Sequence, residues 1–277
     1  MSSATARPAR PARPSIAELR EVTQPPAIRG RRTAEHWTGD LYMRRISPYL
    51  TRVLLRAGLS ANAVTALMIV SGAAAGVALT VPGLWGALLA VVLTQLQMLL
   101  DASDGEVARW RGTSSPLGVF LDRVGHYLAE SLIPLGLGVR AAGGLDDVLD
   151  GEGLGWTTLG GLLAVVIVLN KALNDMVHVA RAMAGLPRVA DDAATSTPRA
   201  SGLARLRRLA RFVPFHRLYH SIELSLLILL AAVADLFIGD LAATRVLVLV
   251  LVPASLLAVA GHFLAIVSSQ RLRTDAG

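Results

Sequence analysis

DASDGEVARWRGTSSPLGVFLDRVGH, residues 101–126, decides how the rest of the chain is read. It begins where a long apolar run, Gly83 to Leu100, meets its first charge. Continued as a helix, that run places Asp101, Asp104, Gly105 and Ala108 on one face, because residues three and four apart are neighbours. A turn with Gly112, Ser114, Ser115 and Pro116 follows, and serine as cap with proline at a helix start predicts a new helix opening near Pro116. On that second helix Gly118, Asp122 and His126 are spaced four apart, again on one face. Two helices joined by a short turn are near-antiparallel neighbours, so Asp101, Asp104 and Asp122 are expected to converge. Like charges gathered at the edge of a membrane cost free energy unless a cation compensates. Magnesium, manganese or calcium, which prefer oxygen ligands, would do so. The small residues would let a ligand approach the backbone closely. The competing reading is a set of solvated charges on a cytoplasmic loop, and the glycines in step with the acids count against it.

These residues resemble the signature of the CDP-alcohol phosphotransferases, Asp-x2-Asp-Gly-x2-Ala-Arg-x8-Gly-x3-Asp-x3-Asp. Asp101, Asp104, Gly105, Ala108, Arg109, Gly118 and Asp122 stand at the matching positions, seven of eight fixed ones. At the eighth, His126 replaces the family's fourth Asp. The resemblance implies transfer of a substituted phosphate, most often phosphatidyl, from a CDP-linked donor such as CDP-diacylglycerol to the hydroxyl of a small polar alcohol. CMP is released, and the product enters phospholipid biosynthesis. It implies two divalent ions, Mg2+ or Mn2+, on Asp101, Asp104, Asp122 and His126, and a donor site that includes Gly105, Ala108, Arg109 and Gly118. The fourth Asp of the family is thought to be the base, so His126 and Asp122 are the catalytic candidates here. Neutral imidazole can ligate a metal or accept a proton near neutral pH. The exchange removes one negative charge, which Glu130, one turn further on, would restore if the helix admits it. An impaired member that binds CDP-lipid without turnover is the alternative.

Composition is that of a membrane protein. Hydrophobic residues make up 53% of 277, charged residues 17%, and the mean hydropathy is +0.52. There is no cysteine, which excludes disulfides, thiolate catalysis and Cys-based zinc sites. The net charge is +7, and 26 of the 27 basic residues are Arg, mostly flanking apolar runs. Anionic headgroups explain that better than nucleic acid.

The predicted fold class is an all-α integral membrane protein with six transmembrane helices after a juxtamembrane amphipathic helix. Residues 1–35, an Arg/Pro/Ala-rich tail, are expected to be disordered. Residues 36–60 are read as the amphipathic helix, bent or restarted at Pro48. The six spans are Asn62–Val81, Leu84–Leu100, Leu117–Val139, Trp156–Ala180, Arg217–Ile238 and Val246–Val267. They belong to one transferase domain over 61–270, with a short tail at 271–277. Arginine placement puts both termini and the motif on the cytoplasmic side of the inner membrane.

Three further residue groups bear on the site. Asn62 and Thr65, in GLSANAVT, resemble the family's Pro-[Asn/Asp]-x-x-Thr segment beside the nucleotide, with Ala61 in place of proline; an ordinary helix cap is the plain alternative. Lys171 lies at helical spacing from Asn174, Asp175 and His178, either as an i,i+4 pair with Asp175 or as part of an acceptor pocket. Arg217, in FHRLYHSIE, is an acceptor candidate within an interfacial anchor. Inositol phosphate, glycerol phosphate, serine and other polyols all remain open as acceptors. Many members of the family are dimers, a point these residues do not decide. A six-helix transporter of small anions fits less well, because the polar residues gather at the cytoplasmic helix ends and no internal repeat is present.

Overall fold

A computed structural model describes residue 11 and residues 14–25, 42–187, 219–269 and 272. The described residues form nine helices and no strand: α1 Ile16–Thr23, α2 Arg44–Arg56, α3 Ala61–Ala78, α4 Gly83–Arg111, α5 Pro116–Ala142, α6 Leu145–Leu149, α7 Leu154–Met183, α8 Ser221–Ile238 and α9 Ala242–Val267. Five of them, α3, α4, α7, α8 and α9, are long and apolar enough to cross a membrane. The chain is therefore an all-α, multi-pass membrane protein. The sixth expected span, α5, has 27 residues, about 40 Å at 1.5 Å per residue. Asp122, Arg123, Glu130 and Arg140 lower its apolarity, so it does not join the five by composition.

The chain divides into two compact units, 1–69 with 96–125, and 70–95 with 126–277. The boundaries between the two units run through α3, α4 and α5.

In the first unit, Ser15 caps α1 through a capping box: its hydroxyl accepts from the Glu18 N–H and the Glu18 carboxylate accepts from the Ser15 N–H. α4 runs through Asp101 and Asp104 without a break and ends at Arg111. Gly112, at φ +69°, supplies the left-handed residue that turns the chain. The Ser115 hydroxyl then accepts from the Gly118 N–H at 3.1 Å, with Pro116 first in α5, as the sequence predicts. Leu19, Leu54, Leu55, Val64, Met68, Leu100, Val107 and Trp110 form this unit's core.

The disordered tail expected over 1–35 is not what residues 16–23 adopt. They form α1, with Leu19 fully buried. α2 is continuous through Pro48, so of the bend or restart expected there the restart does not occur. Residues 36–41 of the predicted amphipathic helix lie outside the described residues.

The second unit has its own core, in which Ala75, Leu79, Ile133, Leu137, Leu163, Ile228 and Val248 are buried together. α7 and α8 both pack on α9. α5 and α7 cross with their backbones in contact. A Cβ on Gly138 would lie 2.8 Å from the Gly160 Cα, and one on Gly160 would lie 2.6 Å from the Gly138 Cα. Small residues permit this close approach where lipid supplies no hydrophobic drive between helices. Several polar groups on the long helices find partners within the unit. The Arg140 guanidinium donates to the Gly83 carbonyl at 2.8 Å, Arg245 donates to the Ala141 carbonyl, and His262 pairs with Asn170 at 2.8 Å.

Candidate active site

The first unit holds a cleft of about 220 Å³ lined by Asn62, Thr65, Asp104, Gly105, Ala108, Arg109, Gly118 and Asp122. These come from three local sources: the first turns of α3, the last turns of α4 and the first turns of α5. The helix–turn–helix at 101–126 and the 62–65 segment therefore meet at one place, although 36 residues of sequence separate Thr65 from Asp101. Thr113, Ser114, Ser115, Val119 and Ala61 complete the lining.

Asp104 is 9% exposed, and its Oδ2 accepts a 2.6 Å hydrogen bond from the Thr65 hydroxyl. Thr65 is thus the residue that orients a motif carboxylate, a more specific role than a helix cap. Asp101 and Asp122 offer carboxylate oxygens within 4.8 Å of one another, and on α5 the His126 ring stands one turn beyond Asp122. The two close carboxylates form a hard oxygen set. That set fits a divalent cation of the magnesium or manganese kind.

Gly105 and Gly118 are small for definite neighbours. A Cβ at 105 would come 3.0 Å from Arg109 Nη1, and one at 118 would come 3.4 Å from Asn62 Oδ1. The first glycine makes room for the arginine, and the second lets the asparagine reach across from α3. Arg109 Nε donates to the Thr23 carbonyl at 2.7 Å, so α1 and the motif are joined directly.

Glu106 was missed by the sequence reading. It lies between Asp104 and Arg109, is 1% exposed, and accepts from Gln24 Nε2 (2.8 Å), Ser47 (2.6 Å) and Thr51 (2.7 Å). The only available signal was a charged residue on the apolar face of α4, beside Val107 and Trp110.

Lys171 belongs to the second unit. Its ammonium lies 2.9 Å from Glu130 and over the Tyr127 ring. Asp175, the i,i+4 alternative, instead accepts from the Tyr127 hydroxyl at 3.1 Å. Glu130 also pairs with His220 Nδ1 at 3.3 Å and is 4% exposed, so its carboxylate is engaged by Lys171 and His220. Arg217 lies outside the described residues.

Residues 59–187 match the CDP-alcohol phosphatidyltransferase family model. The matched stretch is a little under half of the chain. Within it fall Asn62, Thr65, the whole 101–126 motif, Glu130 and Lys171. Over 93 residues the chain is also 37% identical to the archaetidylinositol phosphate synthase of Aeropyrum pernix, a match covering 34% of this chain and 46% of that protein. The match thus spans about half the length of the relative. α1, α2, α8 and α9 lie outside the matched residues.

Proposed function

We propose that the chain transfers a substituted phosphate from a CDP-linked donor such as CDP-diacylglycerol to the hydroxyl of a small polar alcohol. The carrying observation is that Asn62, Thr65, Asp104, Gly105, Ala108, Arg109, Gly118 and Asp122 line one cleft. Asn62, Ala108 and Gly118 bound the space for the cytidine, and Arg109 meets the diphosphate. Asp101, Asp104, Asp122 and His126 are the residues that would hold Mg2+ or Mn2+. When bound, such an ion neutralises charge on the phosphoryl oxygens. The acceptor oxygen forms a bond to the phosphorus that bears the lipid, the bond from that phosphorus to the CMP oxygen breaks, and CMP leaves. Where its one basic nitrogen is not on an ion, His126 takes the hydroxyl proton, which suits a neutral imidazole near neutral pH.

The name of the Aeropyrum relative supports inositol phosphate among the acceptors, and Lys171 and Arg217 are the basic residues assigned to it. α5 is read as the sixth span, with the motif and both termini on the cytoplasmic side, because the arginines cluster there.

The test is CMP release by the purified protein with CDP-diacylglycerol in Mg2+ or Mn2+ across a panel of alcohol acceptors, with Asp104→Ala as the blank. Acceptor-dependent CMP is expected, with inositol phosphate among the active acceptors; no release with any acceptor refutes transfer. The second reading, donor binding without turnover, rests on His126 at the fourth acidic position. It predicts that His126→Asp switches on CMP release in a protein that otherwise only binds.

A further inference from the structure

The helix α1 lies outside residues 59–187, yet it makes the contact that fixes the cleft's arginine. Thr23 ends α1, and its carbonyl is one of those that no intrahelical N–H reaches. Arg109 Nε donates to it at 2.7 Å, while the Arg109 Nη atoms lie over Gly105 in the cleft. A cation at a helix C-terminus also meets the favourable end of the peptide dipoles.

An eight-residue helix does not persist alone in water, so Thr23 stays in place only if α1 is tied down. Gln24, the next residue, is the tie nearest to Thr23. Its Nε2 donates to Glu106 at 2.8 Å and to the Arg44 carbonyl at 2.9 Å. That carbonyl is available because Pro48, four residues on in α2, has no N–H to offer it. Ser47 and Thr51 fill the remaining positions on the Glu106 carboxylate, which meets three neutral donors. Leu19 seals the junction from below, packed in one core with Leu54, Val107 and Trp110.

We propose that α1 is a strap of the donor site, in which Gln24 and Glu106 are positioning residues that hold the Arg109 guanidinium for the diphosphate of the CDP-linked donor. This rests on the donor reading given above. Arginine suits the role because its planar fork can bond α1 through Nε and still present its Nη atoms to phosphate oxygens. The strap makes donor affinity depend on a segment that contributes no residue to the motif.

Glu106→Ala would strand three donors and disturb the fold, so the test uses Gln24→Ala, which leaves Ser47 and Thr51 on the carboxylate. Binding of CDP-diacylglycerol in detergent micelles with Mn2+ is measured for the wild type, Gln24→Ala, Arg109→Lys and the double variant, with Mn2+ alone titrated in parallel. Losing the tie is expected to weaken donor binding about ten-fold, the size typical when a partner that orients a charged ligand group is removed. Mn2+ affinity is expected to stay unchanged, and the double variant to bind no worse than Arg109→Lys, because both changes act through one guanidinium. In turnover, the donor KM rises while the acceptor KM does not. Donor binding by Gln24→Ala equal to the wild type, or losses that add in the double variant, would overturn the strap alone. A wild type that binds no CDP-diacylglycerol would overturn the donor reading, and the strap with it.

Discussion

Thr65→Val removes one hydroxyl from the cleft and leaves its shape almost unchanged. Thr65 is 2% exposed, and its Oγ1 lies 2.6 Å from Asp104 Oδ2. The Ala61 carbonyl, at 3.1 Å, is the competing acceptor, but the shorter bond to a carboxylate takes the proton. Without it, Asp104 stands in a 9% exposed position and loses the donor that aims it. Hydrogen bonds to charged groups contribute roughly 1.5–3 kcal/mol. Loss of a partner that orients a metal ligand typically costs about 10–100-fold in metal affinity, or about 1.4–2.7 kcal/mol at 1.36 kcal/mol per tenfold. The two ranges overlap, so a weakening of Mn2+ binding by about 10–100-fold is expected. Calorimetric titration of Mn2+ into the detergent-purified protein measures it, with Thr65→Ser, which keeps the hydroxyl, staying near the wild type. An unchanged Mn2+ affinity in a folded Thr65→Val protein would show that Asp104 is not a ligand or is held by something other than Thr65.

Two predictions concern the second unit. Gly138→Ala places a Cβ 2.8 Å from both the Gly160 Cα and the Trp156 carbonyl oxygen, so α5 and α7 must separate, and a loss of about 1–3 kcal/mol is expected. Thermal unfolding in detergent reads it against Gly155→Ala, where the added methyl meets nothing within 4 Å. Lys171→Met leaves the Glu130 carboxylate 4% exposed with His220 beside it. Breaking a buried pair from one side costs about 3–5 kcal/mol, and the 23% exposure of Lys171 places this case at the lower end. Adding Glu130→Gln should recover part of the lost melting temperature; a double variant less stable than Lys171→Met would refute the pairing.

What the sequence determined by itself is whatever depends on near neighbours along the chain. Apolar length made α3, α4, α7, α8 and α9 membrane helices, because burying polar backbone in lipid demands helices of that length. Three- and four-residue spacing put Asp101, Asp104 and Gly105 on one face of α4, and Gly118 with Asp122 on one face of α5. Gly112, Ser115 and Pro116 marked the turn between them, since their roles at helix ends follow from their own backbone and side-chain chemistry.

Tertiary structure decided the partners. Lys171 had a carboxylate four residues away in Asp175 and instead took Glu130, 41 residues away. Periodicity gives the distance along one helix and says nothing of what a second helix presents. Glu106 drew Gln24, Ser47 and Thr51 from 82, 59 and 55 residues away, and a buried carboxylate in sequence looks the same as a solvated one. α1 was the least legible element. Its eight residues are too few to hold a helix by local propensity, and it exists because Leu19 is buried and Gln24 finds Glu106. The physical reason is the same in each case: propensity and spacing are summed over neighbours in sequence, whereas the burial that makes a polar group choose its partner is fixed only once distant segments have packed.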